Sequence, residues 1–291
     1  MEFYKPSTLQ EALKLLNKYG ENALVVNGGT DAVLDLTEGR VRPEAIVYIA
    51  DLPELQSIGC EDRRVFLGGA VTYSRMEADP VLSGVRGLME CLRRLGSPTI
   101  RESGTAAGNI AKGATAADCS TMLTALRAEI VLAREGGQRR MALPDVFAGP
   151  FRTAIEPQEL ITRIEFPLPE ENEGTGFVKY SRRRMQDIGK ILVGARICVQ
   201  GGVCTGGTVS LGAVNRTVVR SLDIEGRIAG KTLEEIREAV RAARPAEAVL
   251  RDSYFRHYKE LAVSGAVCEA LEAAWKDAVQ KGAVQGKEAV L

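Results

Sequence analysis

Histidine is almost absent from this chain, which has a single one, His257, among 291 residues. Hydrolases that use a serine or cysteine nucleophile need a histidine as their general base, so such a mechanism would depend on this residue alone. It lies in a charged and aromatic stretch, residues 253–259, that is typical of a half-exposed helix. We therefore expect no catalytic role for His257.

Clustered metal ligands are missing as well. Iron–sulfur and zinc sites need groups of thiolates or imidazoles, so no metal held by the protein is expected. Scattered cysteines are typical of small buried side chains in a reducing compartment. The six cysteines, none in a C-x-x-C pair, are Cys60, Cys91, Cys119, Cys198, Cys204 and Cys268.

An excess of charge and a long apolar run are also lacking. Lysine plus arginine and aspartate plus glutamate both number 38, which predicts neither nucleic acid nor an acidic membrane surface as a partner. No apolar run approaches the ~20 residues of a membrane span. Residues 1–6 lack the basic and apolar regions of a secretory signal. The sequence predicts a cytoplasmic protein with no membrane span.

The N-terminal part alternates between strand and helix signals. Thr8 and Glu11 have the spacing of a capping box before an apolar helix that Gly20 ends. Short apolar strands follow at 23–26 and 46–49, which indicates a small parallel sheet. From about residue 58 the pattern changes to strands at 65–70, 129–133 and 158–167 with helices between them.

The acidic, glycine-bearing stretch 169–176 is typical of a linker. Strand-like segments at 177–181, 195–200 and 208–214 follow it, and then helices at 232–243 and about 254–280. Strands followed by helices predict an α+β fold. We expect a first domain over 1–170, with subdomains at about 1–55 and 56–170, and a second domain over 175–285.

Two glycine-bearing stretches carry the strongest chemical signal. Val26-Asn27-Gly28-Gly29-Thr30-Asp31 follows a strand, and Gly104-Thr105-Ala106-Ala107-Gly108-Asn109-Ile110 lies far along the chain. Glycine lets the backbone approach a ligand and turn successive N–H groups toward an anion. Together the two loops indicate an elongated, phosphate-bearing ligand such as a dinucleotide.

Each loop has a plainer interpretation. The first is neither G-x-G-x-x-G nor a P-loop, so a simple turn after a strand fits it equally well. In the second, Asn109 could donate to a phosphate and Asp118 could accept from a ribose hydroxyl or an adenine amine, but a capped junction between a loop and a helix explains it as well. The basic run Lys179-Tyr180-Ser181-Arg182-Arg183-Arg184 fits a solvated strand edge, an anionic ligand or an acidic partner surface.

In combination, these segments resemble the FAD-binding, or medium, subunits of molybdenum hydroxylases such as carbon monoxide and xanthine dehydrogenases. The opening Phe3-Tyr4-Lys5-Pro6-Ser7-Thr8-Leu9-Gln10-Glu11-Ala12-Leu13 and both glycine loops match family motifs in the same order. The C-terminal half agrees at Leu211-Gly212-Ala213-Val214 and Ser253-Tyr254-Phe255-Arg256. The resemblance covers nearly the whole chain.

The resemblance implies a two-subdomain FAD-binding fold of the vanillyl-alcohol-oxidase/PCMH type, followed by an α+β domain whose three-stranded antiparallel sheet packs with helices. It implies that the first glycine loop supplies backbone N–H groups to the FAD pyrophosphate. Asp118 would bind the adenosine end, while Leu95, Gly96 and Lys179 would lie near the flavin ring. The full set of implied FAD-binding residues is Val25, Val26, Asn27, Gly28, Gly29, Thr30, Asp31, Leu95, Gly96, Thr105, Gly108, Asn109, Asp118, Ile161 and Lys179.

The chain departs from the family pattern in the second loop. Two prolines that usually flank the aspartate are replaced in Ala114-Thr115-Ala116-Ala117-Asp118-Cys119-Ser120-Thr121, which removes preset φ angles. Ala107 stands where the family has glycine and requires a negative φ. No cysteine-rich insertion is present, so no additional iron–sulfur cluster is expected in this subunit.

The resemblance further implies an electron-transfer subunit. FAD would collect electrons from an iron–sulfur subunit and pass them to NAD or another acceptor, while a third subunit carries the molybdenum cofactor. The altered second loop leaves a non-catalytic scaffold with weak or absent FAD binding as an alternative. A self-contained flavin oxidase is disfavoured, because neither a substrate cap nor a histidine for covalent flavin is visible.

Overall fold

The computed structural model describes residues 1–243 and 254–288. The N-terminal elements form the predicted parallel sheet, in which β1 and β2 both pair with the central strand β3. Helix α1 begins after Thr8, whose hydroxyl accepts the N–H of Glu11, and ends at Gly20 with a left-handed φ of 50°. The elements of this part are β1 (Glu2–Tyr4), α1 (Leu9–Tyr19), a 3-10 turn (Gly20–Asn22), β2 (Ala23–Val26), α2 (Ala32–Thr37), β3 (Ala45–Tyr48) and a second 3-10 turn (Pro53–Leu55).

The middle part is an antiparallel sheet with helices inserted between its second and third strands along the chain. The sheet order is β4-β5-β10-β6-β7, so the late strand β10 lies at the centre between β5 and β6. Helices α4 and α7 and the sheet bury one apolar core. The elements are β4 (Ile58–Glu61), β5 (Arg64–Gly68), α3 (Tyr73–Ala78), α4 (Arg86–Arg94), α5 (Pro98–Ser103), α6 (Ala106–Lys112), α7 (Asp118–Ala125), β6 (Glu129–Arg134), β7 (Gly137–Ala142), α8 (Leu143–Val146), β8 (Phe147–Gly149), β9 (Arg152–Thr153) and β10 (Leu160–Pro167).

The C-terminal part is a second antiparallel sheet, in the order β11-β12-β13-β14. The prediction gives three strands, whereas this sheet has four, because the two-residue strand β14 pairs with β13. Helix α11 covers one face of β12 and α7 contacts it as well, which explains why β12 is apolar almost throughout. The elements are β11 (Glu173–Tyr180), β12 (Ile191–Gln200), β13 (Val203–Gly212), β14 (Val219–Arg220), α9 (Leu222–Ile228), α10 (Leu233–Ala242) and α11 (Arg256–Glu288).

The predicted linker at 169–176 is wrong in its second half, where residues 173–176 begin β11. Glu173 is buried, and its carboxylate forms an ion pair with Arg196, which offsets the cost of burying the charge. A Cβ on Gly174 would lie 1.9 Å from the carbonyl oxygen of Ala274, so the two glycines of this strand let α11 lie directly against it. The glycines thus serve helix packing rather than chain flexibility.

The parts are joined through shared contacts. The middle core includes Phe177 and Leu192 of the C-terminal sheet. The N–H of Ala70 donates to the carbonyl of Leu55 in the N-terminal part, and the N–H of Gly69 donates to the carbonyl of Thr162 in β10, so the turn after β5 connects the N-terminal part with the middle sheet. The domain limits at 170 and 175 stay predictions. Across residues 1–243 and 254–288, every helix is too short or too polar to cross a bilayer.

Candidate functional site

A cleft of about 910 Å³ opens where the N-terminal sheet, the helices of the middle part and the β11–β12 connection meet. Its wall contains both glycine loops. Of the residues that the sequence predicts for the site, Val26 alone does not line it, because its side chain is buried in the N-terminal part. The predicted residues that line the cleft are Val25, Asn27, Gly28, Gly29, Thr30, Asp31, Leu95, Gly96, Thr105, Gly108, Asn109, Asp118, Ile161 and Lys179.

The first glycine loop leaves β2 and runs along the cleft to α2. A Cβ on Gly28 would lie 1.6 Å from the carbonyl oxygen of Ser103, so only glycine allows this loop to meet the end of α5. Gly29 has a φ of 71°, in the left-handed region. No described residue accepts a hydrogen bond from the backbone N–H groups of Gly28, Gly29 or Thr30. These groups are free to bind a ligand.

Asn27 connects the two glycine loops. Its Nδ2 donates to the carbonyl of Gly69 over 2.7 Å and to Oγ1 of Thr105 over 3.1 Å. Its Oδ1 is buried, and within the described chain it has no hydrogen-bond partner. A buried acceptor without a partner costs free energy, so this oxygen indicates a donor that a ligand supplies.

The second glycine loop begins helix α6. Oγ1 of Thr105 accepts the N–H of Gly108 over 3.0 Å and caps the helix. Ala107 is helical, so the negative φ that its methyl group requires is confirmed. The prediction of a plain capped junction and that of a ligand loop are compatible here, because the capped loop also lines the cleft.

Asn109 and the proline-free loop after it are held by hydrogen bonds. Oδ1 of Asn109 accepts both the N–H (3.0 Å) and the hydroxyl (2.8 Å) of Ser120, which fixes the start of α7. Its amide nitrogen remains available as a donor to the cleft. In place of the family prolines, the N–H of Ala213 donates to the carbonyl of Thr115 over 2.6 Å, and that of Phe151 to Gly113 over 2.9 Å.

Asp118 and Lys179 form a buried ion pair in the cleft wall, with Oδ2 and Nζ 2.8 Å apart. Lys179 also donates to the carbonyl of Arg94, and Arg94 donates in return to the carbonyl of Lys179. Burial raises the pKa of Asp118 above its ordinary value, although the charge of Lys179 opposes the shift. Oδ1 of Asp118 is buried and, among the described residues, unpartnered.

This pairing bears on two roles that the resemblance implies. Asp118 is expected at the adenosine end of FAD and Lys179 near the flavin ring, and the two side chains are in direct contact. Both roles stay predictions.

The sequence did not predict several other residues of the cleft. Lys112 and Asp35 face each other across it with Nζ and Oδ2 2.5 Å apart. Nothing in the sequence indicates this pair, because its members lie in different helices of different parts. Arg182, Arg183 and Ile188 of the β11–β12 connection line the cleft as well, and the run of arginines was the available signal.

The arrangement fits FAD. It offers free backbone N–H groups for a pyrophosphate, two buried oxygens that need donors, and an apolar wall that includes Leu95, Ile155 and Ile161. The donor set does not fit a metal, because within the described residues no three metal-ligating side chains come together. FAD supplies redox chemistry that the side chains of the protein lack.

Comparisons with known proteins agree with this geometry. Residues 1–169 match the family described as the FAD-binding domain in molybdopterin dehydrogenase. The chain is 32% identical to the nicotinate dehydrogenase FAD-subunit of Eubacterium barkeri, with 80% of each protein covered. It is 29% identical to the carbon monoxide dehydrogenase medium chain of Afipia carboxidovorans, covering 80% of this chain and 79% of that one.

The fold is similar to that of solved structures. In the reconstituted CO dehydrogenase from Oligotropha carboxidovorans, a chain with 25% sequence identity superposes with a TM-score of 0.90, covering 95% of this chain and 98% of that one. The prediction of an α+β fold with a PCMH-type FAD-binding part is thereby confirmed. FAD is the cofactor. The chain belongs to the family of FAD-binding domains of molybdopterin dehydrogenases and is the FAD-binding subunit of an oxidoreductase of the molybdenum hydroxylase type.

Proposed function

We propose that this subunit transfers electrons from an iron–sulfur subunit to a soluble acceptor such as NAD, with FAD bound in the cleft. When bound, FAD accepts electrons singly and gives them up in pairs, which couples such a donor to such an acceptor. A further subunit would hold the molybdenum cofactor and the substrate. We expect the complex to work in the cytoplasm.

The observation that carries the proposal is the convergence of unsatisfied polar groups on one cleft. The N–H groups of Gly28, Gly29 and Thr30 and the buried oxygens of Asn27 and Asp118 have no partner among the described residues. Such groups cost free energy unless a ligand binds them. A dinucleotide, with phosphates at its centre and hydrogen-bonding groups at both ends, can satisfy all of them.

Each part of the cleft has a separate task in this proposal. The backbone of the first glycine loop binds the pyrophosphate, and the amide of Asn109 donates to the phosphates or the ribityl chain. Leu95, Gly96 and Ile161 form an apolar surface that contacts the flavin ring and excludes water. None of these residues needs to act as a general acid or base, which agrees with the scarcity of histidine.

The partner subunits are proposed from relatives. One of those relatives is an FAD-subunit and another is a medium chain, and a related solved structure is that of a Cu,Mo-CO dehydrogenase. Purification from the native source should bring down a cysteine-rich small subunit and a large subunit with this chain. A lone, pure monomer would contradict the partner proposal.

The test of the FAD site uses Asn109→Asp. This change keeps an oxygen that can accept from Ser120, but it replaces the donor that faces the cleft with a negative charge. We expect a circular dichroism spectrum like that of the wild type and an FAD affinity reduced about tenfold or more, since charge-assisted contacts to phosphate become repulsive. Unchanged flavin content would refute the assignment of Asn109.

The colour of the protein separates the two predicted functions. A yellow complex whose flavin absorption bleaches when substrate is added supports electron transfer through this subunit. Protein that is colourless after incubation with FAD and removal of the unbound FAD would instead support the scaffold alternative. Flavin that binds but never bleaches in the intact complex would contradict electron transfer while leaving the FAD site in place.

A further inference from the structure

Tyr73, the first residue of α3, lines the FAD cleft and is not among the residues that the sequence predicts for it. Only 3% of the residue is exposed, so the protein covers nearly all of its surface. Its hydroxyl group forms no hydrogen bond with any residue in the ranges 1–243 and 254–288. A polar group in a buried side chain costs free energy unless a partner replaces the water that it loses, and here that partner is a ligand.

The backbone holds Tyr73 against the start of the second glycine loop. Its N–H donates to the carbonyl of Gly104 over 2.9 Å, and the preceding residue, Thr72, pairs with Thr105 in an isolated antiparallel bridge. A Cβ on Gly104 would lie 2.9 Å from Cε2 of Tyr73, so the glycine makes room for the ring. Tyr73 and the second loop therefore form one unit of the cleft wall.

This unit lies where the two glycine loops meet. A Cβ on Gly28 of the first loop would lie 3.1 Å from the backbone nitrogen of Gly104. In the proposed function the first loop binds the pyrophosphate of FAD. The groups that adjoin this pyrophosphate are the ribose on one side and the ribityl chain on the other. Tyr73 therefore faces the sugar part of the ligand and not the outer edges of its two rings.

Tyr73 is a hydrogen-bond donor near neutral pH. Burial raises the pKa of Tyr73 well above its ordinary value of 10, and the carboxylates of Asp118 and Asp31 act in the same direction. Because the phenol stays protonated, it can donate to an oxygen of the ligand without bringing a charge into the cleft.

Asp118 has the complementary need. It lies close enough to Tyr73 to affect the pKa of the phenol, and its Oδ1 is a buried acceptor without a partner among the described residues. The two groups do not bond to each other. A single ligand group that satisfies both must accept from the phenol and donate to the carboxylate. A hydroxyl group does both with one oxygen, whereas an ionised phosphate has no proton to donate.

We propose that the hydroxyl of Tyr73 donates a hydrogen bond to a sugar hydroxyl of FAD, and that the same sugar hydroxyl donates to Oδ1 of Asp118. Tyr73 is then a cofactor-binding residue that acts beside the two glycine loops. This assignment rests on the proposed function in one respect, the binding of the pyrophosphate at the first loop, and it does not depend on electron transfer. The sugar hydroxyl belongs to the ribose or to the ribityl chain, and the experiment distinguishes these two sources.

The test compares Tyr73→Phe with Tyr48→Phe in the full chain, stripped of FAD and titrated with it. Tyr73→Phe keeps the ring against Gly104 and removes only the hydroxyl. Tyr48 is the matched control, because it is half-buried, lies outside the cleft and has a hydroxyl that forms no hydrogen bond with the described residues. Flavin fluorescence measures the affinity for FAD, and denaturant unfolding measures the stability of the chain without FAD.

We expect Tyr73→Phe to bind FAD about three- to tenfold more weakly than the wild type, and Tyr48→Phe to stay within about twofold. Without FAD, Tyr73→Phe should be at least as stable as the wild type, because the deleted hydroxyl has no partner in the described chain. A tyrosine with a purely structural role would give the opposite result, a less stable chain with unchanged affinity for FAD.

FAD analogues that each lack one hydroxyl group identify the sugar. One analogue should bind the wild type about three- to tenfold more weakly than FAD does, and its loss should be clearly smaller in Tyr73→Phe, since the contact is already absent there. An analogue altered in the ribityl chain assigns the contact to the flavin side, and one altered in the ribose assigns it to the adenosine side. Either result supports the proposal.

The proposal is wrong if Tyr73→Phe binds FAD as tightly as the wild type, or if every analogue loses the same factor in both proteins. It is also wrong if Tyr73→Phe is less stable than the wild type without FAD and has unchanged affinity for it. In these cases FAD still binds, so the proposed function remains in place. A wild-type chain that does not bind FAD would overturn both proposals.

Discussion

Asp118 at the start of α7 and Lys179 near the end of β11 form an ion pair 2.8 Å long that joins the middle and C-terminal parts at the wall of the FAD cleft. Both side chains are almost completely buried. Arg94 extends the pair, because its backbone carbonyl accepts from Lys179. The pair thus connects two parts of the chain at the place where the resemblance predicts FAD.

Removal of one member of this pair should destabilise the chain more than removal of both. Lys179→Met leaves the carboxylate of Asp118 buried without its cation, which should lower the free energy of unfolding by about 3–5 kcal/mol. The double variant Asp118→Leu/Lys179→Met removes both charges and should lose clearly less than the sum of the two single variants. Denaturant unfolding of the wild type, Asp118→Leu, Lys179→Met and the double variant measures the coupling energy between the two residues. Additive losses would contradict the coupling.

The contact between the two glycine loops should tolerate no side chain. Gly28→Ala introduces a Cβ at 1.6 Å from the carbonyl oxygen of Ser103, so the loops must separate. We expect a loss of about 1–3 kcal/mol in the free energy of unfolding and a marked fall in bound FAD.

The control for this contact is Gly84→Ala. Gly84 has open space around its Cβ position and no left-handed φ, so this variant should change stability by less than about 0.5 kcal/mol and keep its flavin. Equal behaviour of the two alanine variants would show that the loops do not depend on close approach.

The sequence predicted the loops of the cleft well because their signals are local. Glycine after the strand that ends at Val26 predicts a turn at that point, and threonine before α6 predicts the start of that helix. The parallel N-terminal sheet was also predictable, since its apolar strands are short and alternate with helix signals. These features depend on residues close together in the chain.

The rest depends on contacts between distant segments, which no local pattern reports. Residues 173–176 have the composition of a linker, yet they form a strand because α11 lies against Gly174 and because Arg196 pairs with Glu173. The direct contact between Asp118 and Lys179 likewise follows from how α7 and β11 pack. Propensity is a weak guide where tertiary packing decides.

Stability should fall in acid partly through Glu165 of β10. Its side chain is 6% exposed and pairs with Arg140 at 2.5 Å. The hydrogen bond from Arg140 lowers the pKa of Glu165 below its ordinary value of 4.5. A carboxylate with a lowered pKa stabilises the folded chain above the unfolded-state value, and this contribution is lost as pH falls through the folded-state value.

Glu165→Gln should therefore lower the free energy of unfolding near neutral pH by about 1–3 kcal/mol. In this variant the free energy of unfolding should also fall less steeply than in the wild type as the pH drops below 4.5. Glu156→Gln is the control, because its ion pair with Arg134 has both side chains more than half exposed and should contribute little. Denaturant unfolding between neutral pH and pH 3 makes the comparison. A slope that Glu165→Gln leaves unchanged would exclude this carboxylate as a source of acid lability.

The ion pair between Asp35 and Lys112 should slow the release of FAD. It connects α2 with α6 across the cleft, and α2 has no buried residue of its own, so few other contacts hold this helix in place. Both side chains are less than one quarter exposed, which makes the pair stronger than one at the surface. Opening of the cleft on this side requires that the pair separate.

Lys112→Met should leave the fold intact and speed FAD dissociation about three- to tenfold, because it removes roughly 1 kcal/mol of attraction across the cleft. Lys112→Arg preserves the charge and should restore slow release. Lys5→Met, which breaks the exposed pair with Asp51, is the matched control and should have no effect. Dissociation is followed by the gain of flavin fluorescence after dilution. Release that is equally fast from the wild type and Lys112→Met, at low and at high salt, would show that α2 does not retain the cofactor.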